Sequence, residues 1–119
     1  MSGDEEGYNG WANRETWALN LWLSNDYGLY TMVRERVADV LDSIDYPHWV
    51  DEDDAADVHQ YRANRVGEAV KDLWQELTDP DEQLMSAESI LDMVRDIGSD
   101  YRVDWFEIGE AWLEDAEES

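Results

Sequence analysis

The sequence predicts an all-α fold: a single compact domain of about five helices, packed around a Trp-rich first helix. Three observations carry that prediction. Apolar residues recur at steps of three and four in successive stretches, the spacing of one helix face. Cap residues and stop residues bracket those stretches at helix-like intervals. No stretch alternates apolar and polar residues in the manner of a half-buried strand. A chain of 119 residues suits one domain with one core. The expected layout is an acidic flexible leader over 1–7, the helical domain over 8–116 and an acidic tail over 117–119.

The first helix is expected over about 13–25. Asn9-Gly10 forms a turn ahead of it, because Gly takes positive φ without a Cβ penalty and Asn tolerates it. Asn13 is placed as the N-cap, its side-chain oxygen accepting from Glu15 or Thr16, and Glu15 sits in the first turn beside the positive helix end. Trp17, Ala18, Leu19, Leu21, Trp22 and Leu23 cover most of the circumference, which predicts a buried, central helix. Asn13, Thr16, Asn20 and Ser24 line up as a polar ridge, and Gly28 offers a stop.

A second helix is expected from Leu29 to Ile44 with Tyr30, Val33, Val37, Val40, Leu41 and Ile44 on one face; Asp45-Tyr46-Pro47 ends it, since the residue before Pro is pushed out of the helical region. The connector Pro47-His48-Trp49-Val50 leads to four consecutive acids, Asp51 to Asp54. They fit a helix N-terminus, where carboxylates cap free N–H groups. A calcium loop would need a turn Gly and a terminal Glu at fixed spacing, and both are missing. The third helix, about 54–78, turns Val58, Tyr61 or Arg62, Val66, Ala69, Val70, Leu73, Trp74 and Leu77 inward and Glu68, Asp72 and Glu76 outward. Asp79-Pro80-Asp81-Glu82 reads as the start of a fourth, with Asp79 as cap and Pro80 at the first helical position. It continues through Leu84, Ile90, Leu91, Val94 and Ile97, with Ser86 as a restart point and Gly98 as the stop. Asp104-Trp105-Phe106-Glu107 repeats the capping-box pattern and opens a last helix over about 104–116. That helix should bury Trp105, Ile108, Trp112 and Ala111, and expose Glu107, Glu110 and Glu114. Short β pieces at 46–50 or 99–103 are a secondary expectation.

The stretch Tyr8, Asn9, Gly10, Trp11, Asn13, Glu15, Thr16 and Trp17, continued by Leu21, Trp22, Asn25 and Asp26, resembles the N-terminal signature of a group of small proteins seen in phages, plasmids and salt-loving archaea. The resemblance covers about twenty residues. It implies a domain type and a mobile-element origin, and it carries no catalytic residue. The motif reads as mainly structural. Its polar ridge could line a ligand pocket among Trp11, Trp17 and Trp22, but capping and pairing within the fold explain the same residues, and Trp serves equally well as core filler.

Catalytic and metal motifs are absent from the sequence. There is no Cys, hence no disulfide or thiolate site. The two histidines, His48 and His59, lie eleven residues apart on different elements, which does not suit a ligand pair. No phosphate loop, nucleophile elbow or zincin pattern occurs. The expectation is a non-enzyme without cofactor or metal. The acidic N-terminus is no secretory signal, and no apolar run reaches membrane-spanning length, so the expected location is cytoplasmic with no membrane partner.

Charge is the strongest remaining signal. The chain holds 31 acidic and 8 basic residues, a net −23, and Lys71 is its single lysine. Rows such as Glu68/Asp72/Glu76 and Glu107/Glu110/Glu114 each cost about 0.2–0.5 kcal/mol per like-charge pair at low salt. Two circumstances from different classes would make them tolerable. Concentrated salt would screen them, the Debye length being about 3 Å at 1 M; scarce Lys and 17 Asp against 14 Glu fit a halophilic protein whose acids serve solubility. Alternatively, a basic protein surface neutralises them. In composition, size and expected helicity the chain is similar to anti-restriction and anti-CRISPR proteins that imitate the spaced phosphates of duplex DNA. The preferred expectation is an acidic binding protein of that kind, with Glu68, Asp72, Glu76, Glu107, Glu110 and Glu114 facing a basic partner such as a host defence nuclease. Direct nucleic-acid binding is disfavoured by electrostatics.

Overall fold

Five α-helices and one 3-10 turn form in the computed structural model, which describes residues 10–79, 87–98 and 100–118. They are α1 Arg14–Asn25, α2 Tyr27–Asp42, α3 Ala55–Leu77, α4 Ala87–Ile97 and α5 Trp105–Glu118, with the 3-10 turn Asp100–Arg102 before α5. The expected leader, Tyr8, Asn9, and Pro80 to Ser86 of the expected fourth-helix start lie outside the described residues. No strand occurs among the described residues, so the β pieces at 46–50 and 99–103 are not formed there: 47–50 make a turn, and 100–102 make the 3-10 turn.

Local chemistry sets most boundaries. Gly10 adopts the positive φ expected of the turn, +89°. Asn13 caps α1 with extended backbone, its side chain accepting from the Thr16 N–H. Asp26, not Gly28, separates the first two helices. Its carboxylate accepts from the Leu29 N–H and so caps α2, while Gly28 lies inside the first turn of α2. A capping side chain overrode the helix-breaking tendency of the glycine. Asp54 caps α3 by accepting from Ala56, as the acidic run implied. Gly98, φ +84°, closes α4, its N–H bonded to the Val94 carbonyl. The last helix runs through Glu118, past the expected tail boundary, and Glu117 faces Arg62 at 3.8 Å.

The packing centre differs from the expected one. The most extensive interface joins α3 and α5, which run antiparallel, with α2 laid against both. Val66, Val70, Leu73 and Leu77 of α3 meet Ile108, Trp112 and Leu113 of α5 in the same buried cluster as Val33 and Val37 of α2. The first helix docks from one side. It buries Ala18, Leu19 and Leu23, but Trp17 and Trp22 stay partly exposed and Leu21 is 38% exposed. Its nearly continuous apolar circumference therefore faces three ways: to the core, to α4 and to solvent. Likewise α4 packs on α1 through a narrow stripe, burying Met93 and Ile97, and Leu91 and Val94 are exposed against expectation. In α5, Trp105 and Ala111 are only partly buried; Gly109 and Leu113 take the inner positions.

Candidate functional site

Asn13, Glu15 and Thr16 take part in a junction between the start of α1 and the start of α5. Asn13 Oδ1 accepts from both the backbone N–H and the hydroxyl of Thr16, at 2.9 and 2.7 Å. The Asn13 amide donates to the Arg102 carbonyl at 2.7 Å. Thr16 is fully buried, and its hydroxyl accepts from the Asp104 N–H at 2.9 Å. Asp104 in turn accepts from the Glu107 N–H at 3.1 Å, as the cap of α5. In a capping box, the Glu107 carboxylate would reach back to the Asp104 N–H. Thr16 occupies that place, and Glu107 accepts instead from the Ala12 N–H at 2.8 Å. Glu15 and Arg102 pair at 3.7 Å beside the junction. The polar ridge thus divides: Asn13 and Thr16 join two helix caps, Asn20 holds a buried side-chain oxygen without a hydrogen-bond partner among the described residues, and Ser24 faces solvent.

The second half of the motif fixes α4. The Trp22 indole N–H donates to Asp96 at 2.8 Å, and Arg14 reaches the other oxygen of the same carboxylate at 3.4 Å. Leu21, Trp22, Asn25, Asp26 and Asp96 line an open cleft of about 410 Å³. Trp22 is therefore a half-buried strut and not the core residue its sequence context suggests. Trp22→Ala should destabilise by about 2 kcal/mol, below the 3–5 kcal/mol of a fully buried aromatic truncation. Trp22→Phe should recover the ring packing but not the bond to Asp96. Urea unfolding of both variants checks this; a loss from Trp22→Ala near 4 kcal/mol would restore the core assignment.

The six acids expected to face a partner do not form a uniform row. Glu68 and Asp72 are exposed on α3, with Arg65 against Glu68 at 2.9 Å. Glu76 makes two hydrogen bonds to the Arg36 guanidinium, at 2.9 and 3.1 Å. Those bonds hold the Glu76 carboxyl below the usual Glu range. Its depressed pKa contributes stability above the ordinary Glu range that is lost as pH falls through the folded value. The contribution is small, because both side chains are a third or more exposed. On α5, Glu107 is committed to the junction, Glu110 meets His59 at 3.3 Å, and Glu114 faces solvent. Among the described residues no group of three or more His, Cys, Asp or Glu side chains is arranged to hold a metal ion. No helix of the described residues is long and apolar enough to cross a membrane.

Sequence reasoning passed over two glycines. Gly67 of α3 and Gly109 of α5 sit where these helices cross: a Cβ on Gly67 would strike the Trp105 carbonyl, and one on Gly109 would strike the Ala63 carbonyl and the Gly67 backbone. The available signal was glycine inside a helix, where it costs about 1 kcal/mol relative to Ala and so implies a packing reason. No curated protein and no solved structure matches the chain. A family of unknown function (DUF7249) matches residues 4–101, which contain α1 to α4 and stop short of α5.

Proposed function

The chain belongs to the family of unknown function DUF7249, and from that premise we propose that it is an acidic binding protein that presents fixed carboxylates to a basic groove, as duplex DNA presents phosphates. It acts by occupying a DNA-binding partner, such as a defence nuclease, and not by catalysis. One observation carries this reading. Six arginines lie against carboxylates of the same chain: Arg14, Arg34, Arg36, Arg62, Arg65 and Arg102. The few cations are thus largely paired with acids of the same chain. The surplus acids, Asp72 and Glu114 among them, are exposed on helices and form no salt bridge among the described residues, Asp72 lying only within electrostatic reach of Arg36. Carboxylates on regular helices have fixed spacing, which a flexible acidic tail lacks.

A second reading draws support from the single lysine and the excess of Asp over Glu: the acids then serve solubility in concentrated salt. Competition separates the two. A mimic displaces duplex DNA from a basic nuclease groove, and its affinity falls steeply with salt. Glu68→Gln, Asp72→Asn and Glu114→Gln together should weaken competition about tenfold. Asp4→Asn, Glu5→Gln and Glu6→Gln, the same change in charge, should weaken it far less. Equal losses would reduce the effect to nonspecific attraction, and no competition at any salt would leave the halophilic reading.

A further inference from the structure

The aromatic cluster at the connector between α2 and α3 has no role in the junction or the core. Trp49 is 66% exposed, while its neighbour Val50 is 5% exposed and anchors the connector. The backbone there is held on several sides. Val50 donates to the Pro47 carbonyl at 3.0 Å, Asp51 N–H to the Asp57 carboxylate at 2.7 Å, and Asp53 N–H to the Asp51 carboxylate at 3.0 Å. Trp49 packs edge-to-face with Tyr61, ring centroids 5.6 Å apart, and Tyr61 packs in turn on Tyr46 at 5.6 Å. In an edge-to-face pair at least one face of the Trp49 indole remains open. A large ring on a rigid mount, turned outward, is the arrangement of an interface anchor.

Its surroundings select the occupant. Asp45 and all four acids from Asp51 to Asp54 are exposed, and among the described residues no group donates to the carboxylates of Glu52 and Asp53. The nearby Arg62 has its charge opposed by Glu117. A second copy of this chain, also at net −23, would be repelled, and so would a nucleic-acid base carrying its phosphate. A guanidinium gains both the π face and the carboxylates, and Arg stacks on aromatic rings better than Lys does. The chain uses that chemistry internally, where Arg34 lies over the Tyr30 ring at 5.6 Å.

We propose that the connector around Trp49 docks an arginine-bearing segment of a basic partner protein, with one guanidinium seated on the indole and its charge met by Glu52 and Asp53. This deepens the reading above and rests on it only in requiring a basic partner. The experiment compares deca-arginine with deca-lysine, peptides of equal charge, binding to the full chain at moderate salt. The wild type should prefer arginine by about tenfold. Trp49→Ala should abolish that preference and leave the affinity for deca-lysine unchanged, while Trp49→Phe keeps part of it. In two-dimensional NMR the Trp49 indole N–H should shift the most of the seven Trp signals. Because Trp49 is mostly exposed, both variants should keep the wild-type circular dichroism. An arginine preference that survives Trp49→Ala, or shifts spread evenly over the Trp signals, overturns the proposal. The DNA competition assay reads the other question separately: if competition fails and the Trp49-dependent preference stands, mimicry is wrong and the docking point is right.

Discussion

Gly109→Ala should destabilise the protein by about 3 kcal/mol, although alanine is the better helix former. The intrinsic preference favours the substitution by about 1 kcal/mol. Against it stands a clash with backbone: the new Cβ would strike the Ala63 carbonyl and lie 2.6 Å from the Gly67 nitrogen and 2.9 Å from its Cα. No flexible side chain is available to swing away, so α3 and α5 must separate along the most extensive interface of the fold. Overpacking of a well-packed site usually costs about 1–3 kcal/mol, and a backbone-on-backbone contact belongs at the upper end or beyond. The loss should lower the melting temperature by roughly 10 °C in a chain of this size. Gly28→Ala is the matched control. Gly28 lies in the first turn of α2, its nearest obstacle is the capping oxygen of the Asp26 side chain at 3.3 Å, and its variant should change stability by less than about 1 kcal/mol in either direction. A Gly109→Ala protein as stable as the Gly28→Ala protein would show that the two helices do not cross at these glycines.

The same two glycines show what could be read from the chain alone. Helix content was legible because periodicity and caps are local: Asn13, Asp54 and Gly98 act where their positions said they would. Which helix lies at the centre was not legible. Three of the seven Trp residues, Trp11, Trp17 and Trp22, drew the weight toward α1, but burial depends on what each face meets, and half of α1 meets solvent or α4. The tight crossing rests on residues with no side chain at all, so hydrophobicity carries no trace of it. The acidic rows were legible as rows and not as roles. Glu76, Glu107 and Glu110 have partners 40, 95 and 51 residues away in sequence, and no local rule reaches that far. The same holds for Asn13. Read as a cap alone, it predicts that Asn13→Asp is nearly neutral; its amide bond to the Arg102 carbonyl reverses that, since Asp would set oxygen against oxygen.

Thr16→Val should cost about 2–3 kcal/mol with almost no change in shape. Valine matches threonine closely in volume, so no cavity opens and the substitution isolates the hydroxyl. That hydroxyl donates to Asn13 and accepts from the Asp104 N–H, on a residue with no solvent exposure. Removing it leaves the Asp104 N–H without an acceptor. The Glu107 carboxylate, which could fill that place as a capping-box partner, is already held by Ala12. If Glu107 moves to rescue Asp104, the exposed Ala12 N–H exchanges that carboxylate for water, a smaller loss than an unpaired Asp104 N–H. Thr16→Ser keeps both hydrogen bonds and removes one methyl group, and should cost about 1 kcal/mol. Denaturant midpoints at unchanged m-value measure the two variants, and amide exchange at Asp104 and Ala12 locates the opened bond. Equal stability of the valine and serine variants would mean that the hydroxyl contributes nothing, and that α1 and α5 are joined by apolar packing alone.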